Sequence, residues 1–331
     1  MADTATLTSE ELGPELDRYR VQLTAHCYRM LGSGFEADDA VQETMVRAWR
    51  SYENFEGRSQ VSTWLHRIAT NVCLTMLESR QRRARPIELG PSSPIGEAVL
   101  GDARPEAFWL QPVPDGRVVP TDGDPAERAA ARDTVRLAFV AALQHLPPRQ
   151  RAVLILCEVL RWPATEVADL LETTVASVNS ALQRARATMA DRGLSTEDPT
   201  PVVAEDHEAL AAKFLDAFER YDMDALTALL HEDATLSMPP YALWLQGPEN
   251  VRGWMEGPGH GCAGSRCIPV AANGTFAFGQ YRPAPGGRWE PWAVQVIEMA
   301  DGWVTAVNSF LDTDVLFPLF GLPEDPDQYK G

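Results

Sequence analysis

Residues 35–50 read Phe-Glu-Ala-Asp-Asp-Ala-Val-Gln-Glu-Thr-Met-Val-Arg-Ala-Trp-Arg, and residues 62–74 read Ser-Thr-Trp-Leu-His-Arg-Ile-Ala-Thr-Asn-Val-Cys-Leu. In the first, Ala37, Ala40, Val41, Met45, Ala48 and Trp49 recur at helical spacing and predict one buried face. Asp39, Gln42, Glu43, Arg47 and Arg50 fall opposite, on a face that stays wet or meets a polar partner. In the second, Trp64, Leu65, Ile68, Ala69, Val72, Cys73 and Met76 form an inner face, with Thr63, Arg67, Thr70 and Asn71 turned outward. The loop between, 53–61, carries Gly57, Arg58, Ser59 and Gln60, a small, cationic and hydrogen-bonding set suited to handling a nucleotide.

At 331 residues the chain has room for two or three domains, and 45% hydrophobic with 23% charged residues is ordinary for a globular protein. No apolar run approaches membrane-spanning length and the N-terminus is polar and acidic, so neither signal peptide nor membrane anchor is expected. Cys27, Cys73 and Cys157 sit in apolar helical contexts, and five cysteines in a chain this long suit a reducing, cytoplasmic setting. A net charge of −18 argues against blanket nucleic-acid binding, so DNA contact must come from local patches. Such a patch exists: residues 44–86 hold eight arginines against three acids, whereas residues 203–331 hold seven basic and nineteen acidic residues. Charge is segregated along the chain.

Leu12–Leu31 is helical, with Leu16, Tyr19, Leu23, Cys27 and Met30 or Leu31 as its stripe and Gly32 as C-cap. The arginine run at 80–85 is read as phosphate-contacting rather than as a solvated helix end, because acids are scarce around it. Pro, Gly, Ser and Asp then predict a linker over 89–124, in which Phe108-Trp109-Leu110-Gln111-Pro112-Val113-Pro114-Asp115 must dock on something, since free tryptophan in a linker is unfavourable. Helical periodicity returns at Pro125 and leads through Leu146-Pro147-Pro148-Arg149-Gln150-Arg151 to a helix-turn-helix pattern. Thr165 caps Glu166–Leu171, residues 172–174 turn, and Val175, Val178, Leu182, Ala185 and Met189 form the core stripe of a second helix. Ala176, Ser177, Asn179, Ser180, Gln183 and Arg184 face out, with Arg186 at the margin: hydroxyls and amides to read base edges, guanidiniums for phosphate or guanine.

The Asp38-Asp39-Ala40-Val41-Gln42-Glu43 helix, the Trp64–Asn71 helix and the helix-turn-helix resemble, in this order, regions 2 and 4 of bacterial sigma-70 family factors of the extracytoplasmic-function kind. The resemblance implies that Asp38, Asp39, Val41, Gln42, Glu43 and Arg47 bind core RNA polymerase, whose β′ clamp and β flap are the expected contacts. It assigns Arg58, Ser59, Gln60, Thr63, Trp64, Arg67, Asn71, Arg82 and Arg83 to the −10 element of promoter DNA. Thr174, Ala176, Ser177, Asn179, Ser180, Gln183, Arg184 and Arg186 fall to the −35 element. Glu172 departs from the pattern, standing where the family has glycine, and strains a left-handed turn. The Trp109-Leu110 segment is similar to a short element of sigma factors that carry an extra C-terminal domain.

After a second linker at 193–204, His207–Leu230 is helical and short alternating segments follow at 234–238, 267–272, 275–281, 289–298 and 303–311. Residues 221–240 resemble SnoaL-like members of the NTF2-like domains. The expected fold is therefore multidomain: two all-α domains, a region 2 helical bundle over 10–88 and a region 4 helix-turn-helix over 125–192. An α+β NTF2-like cone over 205–322 and an acidic tail over 323–331 follow.

In the cone His231, Asp233, Asp312 and Asp216 could supply an acid/base pair, and Trp244, Trp254, Phe276, Trp289 and Trp292 could line a pocket, but these residues read more simply as core and helix-end features. No enzymatic step, catalytic residue, cofactor or metal is expected; His260, Cys262 and Cys267 lack a fourth zinc ligand, although the two cysteines could form a redox pair. The expected function is promoter-specific transcription initiation with core polymerase, modulated by the C-terminal domain, which is acidic and is expected to screen or brace the arginine-rich face until polymerase or a ligand shifts it. An anti-sigma factor or a small-molecule ligand is a further partner to consider, and no membrane is. The competing classes are a ligand-responsive helix-turn-helix regulator working without polymerase and a SnoaL-type enzyme tethered to DNA.

Overall fold

The computed structural model describes residues 9–55, 59–78, 82–122, 124–192 and 204–329. Expectations for Arg58, Arg80 and most of the 193–204 linker lie outside them. The chain divides into two units, residues 1–82 with 116–199 and residues 83–115 with 200–331.

In the first unit, α1 (Ser9–Asp17), α2 (Arg20–Leu31), α3 (Gly34–Ser51) and α4 (Val61–Leu77) pack around Leu23, Cys27, Ala40, Val41, Leu65 and Val72. The helix expected over Leu12–Leu31 is broken, because Tyr19 N–H closes a tight turn on the Leu16 carbonyl and the Arg20 guanidinium folds back onto Asp17 at 2.7 Å. α2 ends at Gly32 in the left-handed conformation (φ 72°), and Ser33 caps α3 by accepting from Glu36 N–H.

The buried stripe of α3 differs from the expected one. Trp49 is 47% exposed and Met45 half-buried, while Thr44 is buried. Thr44 can face the core because its hydroxyl donates to the Ala40 carbonyl at 2.7 Å, which turns Trp49 outward. Thr70 is likewise buried rather than outward: its hydroxyl donates to the His66 carbonyl at 2.7 Å and lies 3.0 Å from His26 Nε2. Burial pushes the pKa of both His26 and His66 down, so the pair is neutral.

Beyond a short α5 (Asp115–Val118) come α6 (Pro125–Asp133), α7 (Leu137–Gln144), α8 (Pro148–Leu154), a π-helical turn at Ile155–Val159, α9 (Ala164–Leu170) and α10 (Val175–Ala190). Pro163, not Thr165, precedes α9; Thr165 sits inside its first turn. Val175 is exposed in the first turn of α10, before the helix reaches the core of Val153, Leu156, Val167 and Val178. Glu172 does adopt a left-handed conformation, φ 50°.

Two arginines are sealed inside this unit. Arg29 on α2 donates to the Thr134 hydroxyl at 2.7 Å, and Arg151 on α8 donates to the Met30 carbonyl, to Gln144 Oε1 at 2.7 Å and to the Gln144 and Leu146 carbonyls at 3.2 Å. Burial lowers each guanidinium pKa to about 10, so both stay charged at neutral pH.

The second unit is an α+β cone. α11 (Ala204–Glu219) and α12 (Met223–Thr227) replace the single helix expected over His207–Leu230. They part at Tyr221 (φ 54°), and Asp222 caps α12 by accepting from Ala225 N–H. β1 (Leu230–Ser237), β2 (Trp244–Gln246), β3 (Arg266–Ala272), β4 (Thr275–Ala284), β5 (Arg288–Ala300) and β6 (Trp303–Phe310) form one sheet in the order β2-β1-β6-β5-β4-β3. Only β1 and β6 run parallel. Between β3 and β4, Asn273 (φ 53°) and Gly274 (φ 71°) make the left-handed pair that a two-residue hairpin requires. α13 (Pro248–Glu256) and α14 (Thr313–Leu319) close the cone.

The segment expected to be a linker is a strap on this cone. Trp109, Leu110 and Val113 are buried, and Val113 and Asn273 exchange hydrogen bonds at 3.0 and 3.1 Å. Gly274 N–H donates to Asp115 at 2.7 Å, and Trp244 Nε1 donates to the Gly90 carbonyl at 3.0 Å. The acidic tail is held by its own domain as well: Tyr281 donates to the Pro323 carbonyl at 2.8 Å, and Arg266 pairs with Asp327. Of the two expectations for the tail, lying over a surface or being disordered, these contacts fit the first.

Replacing Glu172 with glycine should raise stability by about 0.5–1 kcal/mol by removing the left-handed strain, read as a higher midpoint in thermal unfolding; an unchanged or lower midpoint would contradict it. Arg151→Ala should cost about 2–4 kcal/mol, because buried carbonyls lose their donor, and Arg151→Met clearly less because it refills the volume. Denaturant unfolding of the two variants side by side checks the ranking.

Candidate nucleic-acid interface

α10 presents one continuous polar face. Thr174 caps the helix, its hydroxyl accepting from Ser177 N–H at 3.1 Å. Ala176, Ser177, Asn179, Ser180, Gln183 and Arg184 are all exposed, while Val178, Ala185 and Met189 face the core. Arg184 donates to Ser180 Oγ at 2.8 Å, which lays the guanidinium along the same face. Arg186 differs from the rest of the set. It grips the buried carboxylate of Glu158 at 2.5 Å, so its charge is already matched and it braces α10.

The loop before α4 and the first turns of α4 line a cleft. Ser59, Gln60, Thr63 and Arg67 converge there with Gln22, Ser62 and His66, and the far wall is Leu160, Arg161, Trp162, Pro163 and Glu166. The lining is mostly polar, as a site for a base edge and a sugar-phosphate must be. Trp64 is not part of that group; it is half-buried against Phe55 with ring centroids 4.9 Å apart and near Tyr52 at 6.3 Å. Asn71 is exposed further along α4.

The arginines beyond α4 part company. Arg82 is exposed and stands against the His145 ring, which Arg192 also approaches at 2.7 Å, so positive charge gathers at the surface there. Arg83 is buried, donating to the Glu106 carbonyl at 3.1 Å and the Trp109 carbonyl at 2.7 Å. A guanidinium sealed by its own strap does not reach phosphate, which corrects its assignment to DNA.

On α3, Asp39, Gln42, Glu43 and Arg47 are exposed, with Glu43 and Arg47 paired at 2.7 Å. A surface pair of this kind is worth only about 0.3–0.5 kcal/mol and yields readily to a partner. Val46 and Trp49 add exposed apolar surface beside them. Asp38 is half covered and paired with Arg117. Val41 is fully buried in the helical core, so it supports this face from beneath and does not touch a partner.

The cone holds a cavity of about 430 Å³, lined mainly by apolar side chains with Gln280, Gln295, Ser309 and Arg282. Of the aromatics expected at a pocket, Trp254 and Trp292 line it; Trp244, Phe276 and Trp289 do not. His231, Asp233, Asp216 and Asp312 are all outside it: His231 Nδ1 accepts from Asp233 N–H, and Asp216 pairs with Arg220. The lining thus offers no carboxylate or imidazole for acid/base work. Among the described residues no group of His, Cys, Asp and Glu is arranged to hold a metal. All five cysteines are free thiols, and burial pushes the pKa of Cys262 and Cys267 up, which keeps both protonated and unreactive.

Sequence reasoning missed the far wall of the α4 cleft, the buried Arg29 and Arg151, and the cavity's glutamines. The visible signals were weak ones: Arg151 adjoins the apolar run 152–157, and Gln280 and Gln295 interrupt apolar strand patterns.

Comparison with known proteins matches three family models in succession: Sigma-70 region 2 over residues 16–83, Sigma-70, region 4 over 136–189, and the SnoaL-like domain over 211–307. The ECF RNA polymerase sigma factor SigG of Mycobacterium tuberculosis is 47% identical over 317 residues, spanning 92% of this chain and 82% of that protein. The ECF RNA polymerase sigma factor SigW of Bacillus subtilis is 29% identical over 175 residues, 52% of this chain and 82% of its own length. Among solved structures, the crystal structure of the M. tuberculosis extracytoplasmic function sigma factor SigJ covers 94% of this chain and 100% of that one with a TM-score of 0.61 at 21% identity, a likeness of fold. Likeness to SigG over nearly the whole chain, with both sigma-70 regions in order, makes this chain a member of the ECF RNA polymerase sigma factor family.

Proposed function

We propose that this sigma factor contacts core RNA polymerase through the exposed face of α3, with Asp39, Gln42, Glu43 and Arg47 as polar contacts and Val46 and Trp49 as their apolar flank. The cleft of Ser59, Gln60, Thr63 and Arg67 takes a base of the −10 strand out of the stack. Unstacking costs a few kcal/mol, which hydrogen bonds to the base and contacts to the phosphate offset. A strand entering that cleft displaces the wall at 160–166, where Glu166 repels phosphate. Thr174, Ala176, Ser177, Asn179, Ser180, Gln183 and Arg184 read the −35 element from the major groove, and Arg82 adds phosphate contact near the −10 element.

The observation that carries this reading is the convergence of Ser59, Gln60, Thr63 and Arg67 on one polar cleft. A helix-turn-helix regulator that binds duplex DNA alone has no use for it. The cone acts on initiation through the strap at 83–115, which joins the two sigma regions in sequence and is packed on the cone. No helix among the described residues is long and apolar enough to cross a membrane, and work on polymerase and DNA belongs in the cytoplasm.

Run-off transcription with core polymerase on genomic promoters tests the assignment. Joint replacement of Asp39 and Gln42 by alanine should abolish the transcripts while leaving duplex binding intact. Tight duplex binding by the unaltered chain with no transcript would favour a polymerase-independent regulator instead. Arg184→Ala should weaken binding of the upstream element by about 5–100-fold, measured by competition against a scrambled duplex; equal loss on both duplexes would make Arg184 a phosphate contact only.

A further inference from the structure

Glu158 is a carboxylate in a position that packing alone gives to an apolar side chain. The π-helical turn at Ile155–Val159 buries Ile155, Leu156 and Glu158 and leaves Cys157 and Val159 half-buried. Interiors accept a carboxylate where a cation meets it, and here two do. Arg186 on α10 donates to Glu158 Oε1 from Nε at 3.2 Å and from Nη2 at 2.5 Å. Arg161, in the turn before α9, stands 3.8 Å from Glu158 Oε2. One oxygen is turned to the helix of the −35 element and the other to the wall of the −10 cleft.

α10 needs such a partner. Its buried residues Val178, Ala185 and Met189 form a single stripe along the helix. One apolar stripe resists sliding and lifting but opposes a roll about the helix axis only weakly. At the radius of a helix with its side chains, a roll of about 10° carries a side-chain tip about 1 Å, enough to spoil a hydrogen bond to a base edge. The Glu158–Arg186 contact lies beside the stripe, one position from Ala185, and blocks that roll. Drawing Arg186 off to phosphate leaves Glu158 buried with only the longer contact to Arg161 beside it. Arg186 therefore stays on Glu158.

The same turn carries the cleft wall. Leu160 N–H donates to the Ile155 carbonyl at 3.0 Å and Trp162 N–H to the Leu156 carbonyl at 2.9 Å, so residues 160–162 hang from the π-helical turn. Arg161 is held left-handed at φ 58°, a conformation that costs free energy in an arginine and persists only where its surroundings fix it. The Trp162 ring lies 6.4 Å, centroid to centroid, from His66 on α4. Pinning the turn at Glu158 therefore fixes where that wall lies.

We propose that Glu158 is a positioning residue for promoter recognition. Through Arg186 it sets the roll of α10, and through the π-helical turn it sets the wall of the −10 cleft, so one carboxylate holds both DNA-reading surfaces in a single pose. Arg186 acts on DNA only through this contact. The inference rests on the assignment of α10 to the −35 element and of the α4 cleft to the −10 strand.

The test uses Arg186→Ala, Glu158→Gln and the double variant, each as the full chain assembled with core polymerase. Arg186 is exposed enough that its truncation leaves the chain folded. Binding is measured over a range of salt to the duplex that the unaltered holoenzyme selects from a random pool, and to a scrambled duplex. Arg186→Ala should lose about tenfold on the selected duplex and little on the scrambled one, with the salt dependence unchanged. Glu158→Gln should lose the same discrimination, and the double variant no more than the larger single loss. In the free chain, hydrogen exchange at the bonded amides of Trp162, Glu166 and Val167 should quicken about tenfold in either single variant. An equal loss on both duplexes, with a salt slope lower by about one, would make Arg186 a phosphate contact and overturn the proposal. Full discrimination by Glu158→Gln, losses that add in the double variant, or unchanged exchange at the three amides would overturn it too. A holoenzyme that selects no duplex would refute the −35 assignment instead, and the exchange would still decide whether Glu158 holds the wall.

Discussion

Two guanidinium groups sealed from water, Arg29 and Arg151, govern how the helical unit is put together. A buried cation costs several kcal/mol unless its donors are met. Here the Met30, Gln144 and Leu146 carbonyls, the Gln144 amide and the Thr134 hydroxyl meet most of them, and Arg151 Nε alone of the Arg151 nitrogens has no partner. Those acceptors come from the end of α2, the turn before α7, the end of α7 and the turn after it. They tie together residues 1–82 and 116–199, which form one unit although a long segment separates them in sequence.

That separating segment is the second constraint. Residues 83–115 are bound to the cone by the Asn273–Val113 and Gly274–Asp115 hydrogen bonds and by buried Trp109, Leu110 and Val113. The two sigma regions are thus joined by chain that belongs to a different domain. The chain that connects α4 to α6 therefore runs over the cone.

Much of this was legible in the sequence because periodicity and turn chemistry are local. The helix ended by Gly32, the left-handed strain at Glu172 and the exposed polar face of α10 follow from residue type and spacing alone. What escaped depends on side-chain hydrogen bonds, some within a helix and some to partners distant in sequence, that residue type and spacing do not show. Thr44 and Thr70 are polar by type but buried, because each hydroxyl is satisfied within its own helix, and that rotated the stripe of α3 away from Trp49. Arg83 reads as one more member of a basic run, yet the strap carbonyls of Glu106 and Trp109 claim it. Arg186 reads as a phosphate contact until Glu158 is seen beneath it. Val41 shows the same error in reverse: it is apolar and buried, and only its place in a motif suggested contact. The strand at 244–246 is too short to show alternation.

The central claim is that two separate faces of one chain, the α4 cleft and α10, engage two separate parts of one promoter, and do so together only on core polymerase. Photo-crosslinkers placed at Ser59 and at Ser180 test it most directly, each assembled with promoter DNA in the presence and absence of core enzyme. The account predicts a Ser59 crosslink to an unpaired downstream strand that requires polymerase, and a Ser180 crosslink to upstream duplex. A Ser59 crosslink to duplex DNA without polymerase, or crosslinks from both positions to the same base pairs, would contradict it.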